Sequence, residues 1–418
     1  MYCALILAED EPNKMHSEVP IALHEICFKS IINWVLNTAD GAAEKVIVSN
    51  FENIKENICD SVKFVYANKK EDICKAVLQL KELLYQYDDI LITTDKFPLI
   101  TDSTLKTAFT YHTSSKNDAT ILSCASEQGS WGCETLNAGV GFIKTKLLIS
   151  ALGEASNQPQ AKHSFEGIIK GFEKGKQKIG KYKINDINEL LGINDREQLL
   201  TANEVMQRRI NKHFMQKGVT LISSNTAYIS GDAVIGHDTI VMPNTIIEGN
   251  TKIGSNCIIG PNSRLVNATI DNGTTVNNSV VVSSRVGANT NIGPFSYIRP
   301  GCDIGDNVKI GDFVEVKNSV VKDGTHAAHL TYIGDADVGS KVNFGCGTIV
   351  VNYDGKKKHR TKIGNNAFIG CNTNLISPLN VGDDTFIAAG STITQDMPDG
   401  SFAIARSRQI TKTDWKRK

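Results

Sequence analysis

The sequence predicts an α/β domain followed by a parallel β-helix, and three observations support this division. Apolar strand-like segments alternate with helical segments up to about residue 217. Beyond that point, aliphatic residues recur every six positions as far as residue 393. The length of 418 residues also exceeds what one ordinary hydrophobic core accommodates. The two halves of the chain are therefore expected to fold as units of different architecture.

The first half has the pattern of a mixed α/β domain. The strand-like apolar runs are CALILA (3–8), KVIVSN (45–50) and DILITT (89–94). They alternate with helical stretches at 29–39 and 71–87. Strands that alternate with helices favour a mostly parallel sheet covered on both faces. A further helical stretch at 196–217 precedes Gly218, a residue type that commonly ends helices. We expect an α/β domain over 1–195 and a linker helix over 196–218.

The second half carries a six-residue aliphatic period. A period of six is typical of a parallel β-helix, in which each side of a triangular coil contributes one inward aliphatic residue. Three sides make a coil of about eighteen residues, so the segment holds roughly nine coils. The inward positions are expected to be Ile229, Ile235, Val241, Ile247, Ile253, Ile259, Leu265, Ile270, Val276, Val282, Val286, Ile292, Ile298, Ile304, Ile310, Val316, Val338, Phe344, Val350, Ile363, Ile369, Leu375, Val381, Ile387 and Ile393. We expect the β-helix domain over 219–405 and a basic tail over 406–418.

The period is interrupted twice, between Val316 and Val338 and between Val350 and Ile363. Both segments are polar and are predicted to project as loops from a regular prism. Loops carried by a rigid scaffold frequently hold functional residues. The candidates in these two segments are His326, His329, Tyr332, Asn352, Tyr353, Lys356, Lys357, Lys358, His359 and Arg360.

These side chains suit transfer of an acyl group from a thioester to an amine. Such a reaction needs a base for the amine proton, donors for the developing oxyanion and cations for any phosphate. His329 is the candidate base, with Glu315 as the carboxylate that orients its ring. Backbone N–H groups of the glycine-rich turn 344–347 are candidates for the oxyanion contact. The candidates for a phosphate are Arg299, Lys317 and Lys358.

Charge and cysteine content exclude several classes of function. The chain has 45 basic and 45 acidic residues, so it has no positive field for nucleic acid or for a membrane surface. No apolar run approaches the roughly 18 residues of a membrane span, and the first residues lack the basic flank and cleavage site of a secretory signal. Ten cysteines are scattered without a CxxC pair. We expect reduced thiols in a cytoplasmic protein.

Five segments of the second half closely resemble one family. They are IGPFSYIRPG (292–301), GDFVEVKNS (311–319), HAAHLTYIGDADVG (326–339), NFGCGTIVVNYDGKKKHRTKIG (343–364) and IAAGSTIT (387–394). The family is the bacterial bifunctional enzyme that acts as glucosamine-1-phosphate N-acetyltransferase and N-acetylglucosamine-1-phosphate uridylyltransferase. The resemblance is near-continuous from about Gly293 to Trp415, looser over 229–292 and fragmentary in the first domain. It implies a Rossmann-type, nucleotidyltransferase-like α/β domain and a left-handed parallel β-helix of hexapeptide repeats.

The resemblance also implies roles for individual residues of the β-helix. His329 matches the family's catalytic base and Glu315 the carboxylate that accompanies it. The positions that bind glucosamine 1-phosphate are matched by Arg299, Lys317, Tyr332, Asn343 and Lys358. The acetyl-coenzyme A (acetyl-CoA) positions are matched by Cys346, Asn352, Tyr353, Cys371, Ala389 and Arg406. Members of the family are homotrimers with acetyl-transfer sites between neighbouring prisms, act on small-molecule substrates and make UDP-N-acetylglucosamine for peptidoglycan.

The first domain departs from the family's pattern. The family's nucleotide loop L-A-A-G-x-G-T-R-M is here LAEDEPNKM (7–15), and its P-K-x-L is PIAL (20–23). Both glycines are therefore replaced, by Asp10 and by Pro12, and Pro12 has no N–H to offer a phosphate. The family's lysine is Ile21. Asp95 and Asn194 match the Mg²⁺ positions and Asn137 a sugar contact, whereas the Q-x-x-G-T and G-Y-G-R segments are not matched.

We therefore expect a first domain that keeps its fold with little or no uridylyl transfer, while the second domain transfers acetyl groups directly in a ternary complex. Three alternatives stay open. The first is a fully bifunctional enzyme. The second is a zinc hydratase on a similar prism, using His326, His329 and His359. The third is a solenoid that binds without catalysing.

Overall fold

The chain divides into two compact units. In the computed structural model, residues 1–9, 14–68, 73–124, 139–155 and 177–416 are described. The first unit is Met1–Met206 and the second is Gln207–Lys418. Each is an independent cluster of contacts, with its own sheets and its own core.

The first unit is an α/β fold. Its strands are β1 (Tyr2–Ala8), β2 (Glu25–Ile26), β3 (Lys29–Ser30), β4 (Glu44–Ser49), β5 (Lys63–Tyr66), β6 (Asp89–Thr94), β7 (Ala119–Ser123), β8 (Gly141–Lys144) and β9 (Ile179–Lys183). Its α-helices are α1 (Ile31–Thr38), α2 (Ile73–Gln79), α3 (Lys81–Leu84), α4 (Asp102–Ser114), α5 (Thr145–Ala155) and the start of α6 (Arg196–Gln216). Short 3₁₀ helices span Ile21–Leu23, Glu52–Asn57 and Ile187–Leu190.

Seven of the described strands of this unit form one sheet with the order β5-β4-β1-β6-β8-β7-β9, and β2 and β3 pair separately as a two-stranded antiparallel sheet. All pairings of the seven-stranded sheet are parallel except those of β8 with β6 and with β7. Alternate residues of β1 lie in two separate cores: Cys3 and Leu5 pack with α2 and α5, while Tyr2 and Ala4 pack with α4. The predicted mostly parallel sheet with two covered faces is confirmed.

Helix α6 spans Arg196–Gln216, and the division between the two units falls within it, between Met206 and Gln207. Its second half bonds to the first coil of the β-helix. The side-chain amide of Gln207 donates to Ala227 O at 2.9 Å, and that of Asn211 donates to Ser224 O at 2.7 Å. These bonds satisfy carbonyl groups at the open end of the solenoid, where no preceding coil is present to pair with them.

The second unit is a parallel β-helix with three faces. The first face has eleven strands: Thr220–Leu221, Ile240–Val241, Ile258–Ile259, Thr275–Val276, Asn291–Ile292, Lys309–Asp312, His326–His329, Asn343–Phe344, Phe368–Ile369, Phe386–Ile387 and Phe402–Ala403. The second has ten: Tyr228–Ile229, Ile246–Glu248, Arg264–Val266, Val280–Val282, Tyr297–Ile298, Glu315–Lys317, Tyr332–Gly334, Ile349–Val351, Asn374–Ile376 and Thr392–Ile393. The third has nine: Val234–Ile235, Lys252–Ile253, Thr269–Ile270, Arg285–Val286, Asp303–Ile304, Val320–Val321, Ala336–Val338, Thr361–Ile363 and Leu379–Val381.

The inward column of this solenoid follows the predicted aliphatic positions with one exception. Val281, and not Val282, takes the buried position on its strand. The column is paired in register from coil to coil, as in Ile247 opposite Leu265. The predicted β-helix of hexapeptide repeats is therefore confirmed.

The first predicted insertion is not an insertion. Between Val316 and Val338 the coil continues without a break, with Val321, Ala327 and Ile333 as its buried inward residues. Two sides of five residues shift the phase of the pattern, and the small Ala327 obscures the aliphatic repeat. The second interruption does hold an extra segment, residues 352–360, between the strands Ile349–Val351 and Thr361–Ile363.

Candidate active site

We refer to the turns that join first-face strands to second-face strands as the first corner. His329 is the last residue of the first-face strand His326–His329 and stands at this corner. Its ring Nδ1 lies 2.5 Å from Oδ1 of Asp312, the corresponding residue one coil earlier. More than half of the His329 side chain is exposed (58%), so the ring remains open to a ligand.

The partner of the His329 ring differs from the one expected. Glu315 was expected to orient the ring, but its Oε1 accepts a hydrogen bond from the Arg299 guanidinium at 2.9 Å. The bond from His329 lowers the pKa of the Asp312 carboxyl below its usual range. An ionised Asp312 favours the tautomer with a proton on Nδ1, and this leaves the Nε2 lone pair free to accept a proton.

We refer to the turns that follow second-face strands as the second corner. The three residues predicted to bind a phosphate, Arg299, Lys317 and Lys358, lie close together on this side of the solenoid. Arg299 and Lys317 occupy equivalent positions on adjacent coils, because Ile298 pairs with Val316. The Lys358 ammonium lies beside that of Lys317, and this proximity lowers the pKa of Lys358, with a further contribution from Arg299. The second corner therefore brings three cationic side chains near one another.

The cluster is organised by Asp335, whose side chain is buried. Asp335 accepts hydrogen bonds from the amides of Asn318 at 2.6 Å and Asn352 at 2.5 Å, and it lies 3.5 Å from the Lys317 ammonium. Burial alone would raise the pKa of Asp335, but these donors outweigh it and the pKa is lowered. The ionised carboxylate fixes the Lys317 ammonium in place at the second corner.

Tyr332 lies between the two corners, on the second face. Its ring folds over Gly334: a Cβ on Gly334 would lie 2.4 Å from Tyr332 Oη and 2.6 Å from its Cζ. The absence of a side chain at Gly334 therefore permits the observed ring position. The Tyr332 hydroxyl also lies 3.4 Å from the amide nitrogen of Asn352.

The segment 352–360 is held by Asp354. Its carboxylate accepts from the backbone N–H of Lys357 and of Lys356 and contacts Nε2 of His359 at 2.7 Å. These bonds lower the pKa of Asp354 to about 2. The exposed Tyr353 donates its hydroxyl proton to Gly355 O at 2.8 Å within the same segment.

Four of the predicted acetyl-CoA residues lie along the first corner beyond His329. Cys346, Cys371 and Ala389 take equivalent positions on three successive coils, linked by bonds from Asn372 N to Cys346 O (2.8 Å) and from Gly390 N to Cys371 O (2.7 Å). Arg406 lies next along this corner, beside Gly390: a Cβ on Gly390 would be 3.7 Å from Cδ of Arg406. The corner is lined by small residues because a Cβ on Gly345 or Gly370 would clash with the next coil's backbone.

Asn343 was also predicted to bind the sugar phosphate, but it lies on the first face, apart from the other residues predicted for that role. It belongs to a first-face strand, opposite His326, whereas Arg299, Lys317 and Tyr332 are on the second face or the corner after it. The three histidines of the zinc alternative do not converge, since His329 bonds to Asp312 and His359 to Asp354. Within the ranges that the structure describes, no group of three or more His, Cys, Asp or Glu side chains is placed to hold a metal ion.

Sequence reasoning missed Asp312, Gly334 and Asp335. A signal for Asp312 was present, since it precedes His329 by 17 positions, close to one coil of the predicted solenoid. Residues one coil apart on the same corner are neighbours in a β-helix. Gly334 and Asp335 gave no signal of their own, because their role depends on where the Tyr332 ring and the Asn352 amide point.

In the first unit, the structure describes three of the residues that were compared with the family's nucleotide site. Ile21, which replaces the family's lysine, is buried in the 3₁₀ helix Ile21–Leu23. Asp95 directly follows the carboxyl end of β6 and is also buried. Its backbone N–H donates to Leu7 O in β1 at 3.1 Å. Asn194 O accepts from Lys14 N at 3.0 Å. Asp10, Pro12 and Asn137 lie outside the described residues.

The comparisons with known proteins agree with the hexapeptide-repeat fold of the second unit. The family model described as "Bacterial transferase hexapeptide (six repeats)" matches residues 232–267, 283–318 and 360–395. The solenoid with its corner sites thus defines a hexapeptide-repeat transferase. The chain is 42% identical to the bifunctional protein GlmU of Clostridium kluyveri, covering 99% of this chain and 98% of that protein. It is 43% identical to the bifunctional protein GlmU of Acetivibrio thermocellus, with 99% and 96% covered.

The chain therefore belongs to the bifunctional GlmU family, the uridylyltransferase and N-acetyltransferase family that it resembles in sequence, and it is an acyltransferase enzyme. A solved structure of 4-diphosphocytidyl-2C-methyl-D-erythritol synthase from Anaerococcus prevotii matches 50% of this chain and 96% of its own, with 15% identity and a TM-score of 0.38. CMP:2-keto-3-deoxy-manno-octonic acid synthetase matches with 12% identity and a TM-score of 0.39, over 50% and 99%. Among the described helices, none has the length and apolar character of a membrane span.

Proposed function

We propose that the protein transfers the acetyl group of acetyl-CoA to the amine of glucosamine 1-phosphate, and that uridylyl transfer by its first unit is lost or weak. The observation that carries the proposal is the arrangement across the second face. A base, His329, stands at one corner, and the cationic cluster of Lys317, Lys358 and Arg299 stands toward the other. A phosphorylated amino sugar lying across this face reaches both.

The phosphate is bound by the three cations. Two adjacent ammonium groups, with a guanidinium near enough to act on one of them, repel one another, and charge-assisted bonds to a phosphate placed among them are strong. The lowered pKa of Lys358 reflects this repulsion, since the neighbouring Lys317 is its largest cause. Tyr332, between the two corners, is the residue that contacts the sugar.

His329 accepts the amine proton at Nε2 as the nitrogen attacks the thioester carbonyl. Asp312 holds the opposite ring nitrogen and stabilises the positive charge that develops on the ring. Within the turn 344–347, the N–H groups of Gly345 and Gly347 already donate to Ile369 O (2.7 Å) and Leu330 O (3.1 Å), so the N–H of Cys346 is the donor for the tetrahedral oxyanion. Coenzyme A leaves as the thiol after it receives the proton held by His329. Acetyl-CoA lies along the first corner past Cys346, Cys371 and Ala389 toward Arg406. Asn352 and Tyr353 follow the second-face strand Ile349–Val351, so they would contact the coenzyme from a neighbouring subunit. The acetyl group passes directly to the nitrogen.

The loss of uridylyl transfer is supported by Ile21 and by the replaced glycines of the phosphate loop. A buried apolar side chain stands where a lysine would meet a phosphate, and it cannot be replaced in that role by a neighbour on the same 3₁₀ turn. Glycines of the phosphate loop are replaced at residues 10 and 12.

Mg²⁺ is the ion that such a nucleotide site employs to neutralise phosphate charge. The donor chemistry of Asp95 and Asn194, a carboxylate and an amide, suits a hard cation that keeps several waters. If the ion binds to this chain, these two residues hold it. The fully bifunctional alternative requires the same site to bind UTP as well.

The protein is further proposed to be a cytoplasmic homotrimer in the synthesis of UDP-N-acetylglucosamine for peptidoglycan. The support for association is an apolar ridge on the first corner, formed by Phe295, Phe313 and Leu330, each more than half exposed. All three have left-handed backbone conformations, which bulky residues rarely adopt. Since Phe313 follows Asp312 and Leu330 follows His329, a subunit seated on this ridge would cover the catalytic pair.

Two assays on one preparation test the proposal. Release of coenzyme A is followed with acetyl-CoA and glucosamine 1-phosphate, and release of pyrophosphate with UTP, Mg²⁺ and N-acetylglucosamine 1-phosphate. We expect release of coenzyme A, which His329→Ala lowers by about 10²–10⁴-fold. We expect little release of pyrophosphate. Absence of the first activity refutes acetyl transfer. Pyrophosphate release within about tenfold of the acetyl-transfer rate supports the bifunctional enzyme instead.

A further inference from the structure

Two cysteines occupy equivalent positions on adjacent coils of the first corner. The strands Asn343–Phe344 and Phe368–Ile369 pair with Phe344 opposite Ile369, so Cys346 and Cys371, two residues further on, are also neighbours. The bond of 2.8 Å from Asn372 N to Cys346 O keeps the two turns in register. Adjacent parallel strands are about 4.8 Å apart, which is within the Cα separation that a disulfide spans.

Their surroundings differ from those of the other thiols in the second unit. Cys257 and Cys302 are buried, and their thiols donate to Asp271 O (3.2 Å) and Val316 O (3.4 Å). Burial raises the pKa of both. Cys371, in contrast, is exposed and Cys346 is half-buried. A reagent from solvent therefore reaches this pair of thiols and not the other two.

Glycines make up much of the turns around the pair. Gly345 and Gly347 flank Cys346, and Gly370 precedes Cys371, so no larger side chain intervenes on these turns. The backbones are already in close contact, since a Cβ on Gly345 would lie 2.4 Å from Cys371 N. Only side-chain rotation is then needed to bring the two sulfur atoms together.

We propose that Cys346 and Cys371 form a reversible disulfide that closes the first corner to acetyl-CoA. The proposal rests on the proposed function in one respect, namely that the coenzyme lies along this corner. The oxidant is a low-molecular-weight disulfide such as oxidised glutathione. The thiolate of Cys371 attacks one of its sulfur atoms and releases one glutathione thiolate. The thiolate of Cys346 then attacks the Cys371 sulfur of the mixed disulfide and releases the second.

The reaction is balanced: two protein thiols are oxidised with the loss of two protons, and one small disulfide is reduced to two thiols. The new bond turns both side chains toward each other across the coil step. The coenzyme then meets a rigid bridge in place of two small, mobile groups. Conversely, bound acetyl-CoA shields both thiols from the oxidant.

The test compares the reduced and oxidised full-length protein. Wild type, Cys346→Ala with Cys371→Ser, and the control Cys59→Ser are treated with oxidised glutathione, with and without acetyl-CoA. Cys59 is exposed in the first unit and lies outside the coil, so it controls for general thiol oxidation. Peptide mass spectrometry detects the linked Cys346 and Cys371 peptides, and coenzyme A release measures the ratio of oxidised to reduced activity.

We expect linked peptides in wild type and in Cys59→Ser, fewer of them with acetyl-CoA, and an activity loss of at least about tenfold that dithiothreitol reverses. In the double variant, the ratio of oxidised to reduced activity is expected to stay near one. Absence of linked peptides, formation unaffected by acetyl-CoA, or an unchanged activity ratio in wild type overturns the proposal. An inactive reduced wild type instead refutes the proposed function, while the linked peptides and their protection by acetyl-CoA still test the disulfide.

Discussion

Nδ1 of His329 and Oδ1 of Asp312 lie 2.5 Å apart, across one step of the solenoid. Backbone pairing places the two residues opposite each other on successive first-face strands. The coil thus positions a carboxylate beneath the imidazole by its repeat alone, without a separate loop. Asp312 is a positioning residue, since it acts on the sugar amine only through the ring of His329.

Replacing Asp312 by Asn is predicted to slow acetyl transfer by at least about tenfold, and by no more than His329→Ala does. The amide keeps the shape of the carboxylate but removes the charge that stabilises a protonated ring. We expect kcat to fall while KM for glucosamine 1-phosphate changes little, as measured by coenzyme A release. The matched control is Asp238→Asn, which alters a similar exposed pair, His237 Nδ1 to Asp238 Oδ2 at 2.7 Å. An equal loss in both variants contradicts the assignment.

The variant Gly334→Ala tests whether the Tyr332 ring position matters for the sugar. Because a methyl group at this position would lie 2.4 Å from Tyr332 Oη, the ring must swing away. Since the ring is the outer end of a mobile side chain, we expect little change in Tm but a KM for glucosamine 1-phosphate raised by about tenfold. Gly153→Ala, where a Cβ meets nothing within 4 Å, is the control. An unchanged KM would remove Tyr332 from substrate binding.

The solenoid was predictable from sequence because its constraint is periodic. Every sixth residue must be small enough and apolar enough to fill the interior, and this requirement is visible in residues such as Ile292, Ile298 and Ile304. The prediction failed between Val316 and Val338 because two sides are one residue shorter, and Ala327 does not stand out as a core residue. A periodic rule detects the period and not the local deviations from it.

The site was less predictable, because its chemistry depends on where side chains point. His329, Lys317 and Tyr332 came from residue type and family resemblance, and the structure adds how they are held. The partner of His329 was expected to be Glu315, yet the nearer carboxylate is Asp312 and Glu315 bonds to Arg299. Choosing between carboxylates three residues apart requires knowing which of them stands at the corner.

The segment 352–360 is predicted to stay bonded to Asp354 in acid. The pKa of Asp354 is lowered to about 2, chiefly by the bond from Lys357 N. A carboxyl with a lowered pKa in the folded state contributes stability that is present above its ordinary pKa, about 3.9, and lost as the pH falls toward 2. A ¹³C titration of the Asp354 carboxyl should give a midpoint near 2. A midpoint near 3.9 would show that these bonds do not persist in solution.

Phe313→Asn is predicted to weaken association of subunits without destabilising the subunit itself. Phe313 is 58% exposed and stacks on Phe295 with ring centroids 5.5 Å apart. Its φ of 57° suits Asn better than Phe, and Asn244, Asn262 and Asn278 adopt the same conformation in earlier turns of this corner. Removing the ring therefore relieves backbone strain while it deletes an apolar contact.

Sedimentation equilibrium should show smaller assemblies, and acetyl transfer should fall with them if a neighbouring subunit completes the site. Tyr85→Asn, which removes a 50% exposed ring from the first unit, is the control. A trimer that persists in Phe313→Asn, with unchanged activity, would contradict the role of this ridge.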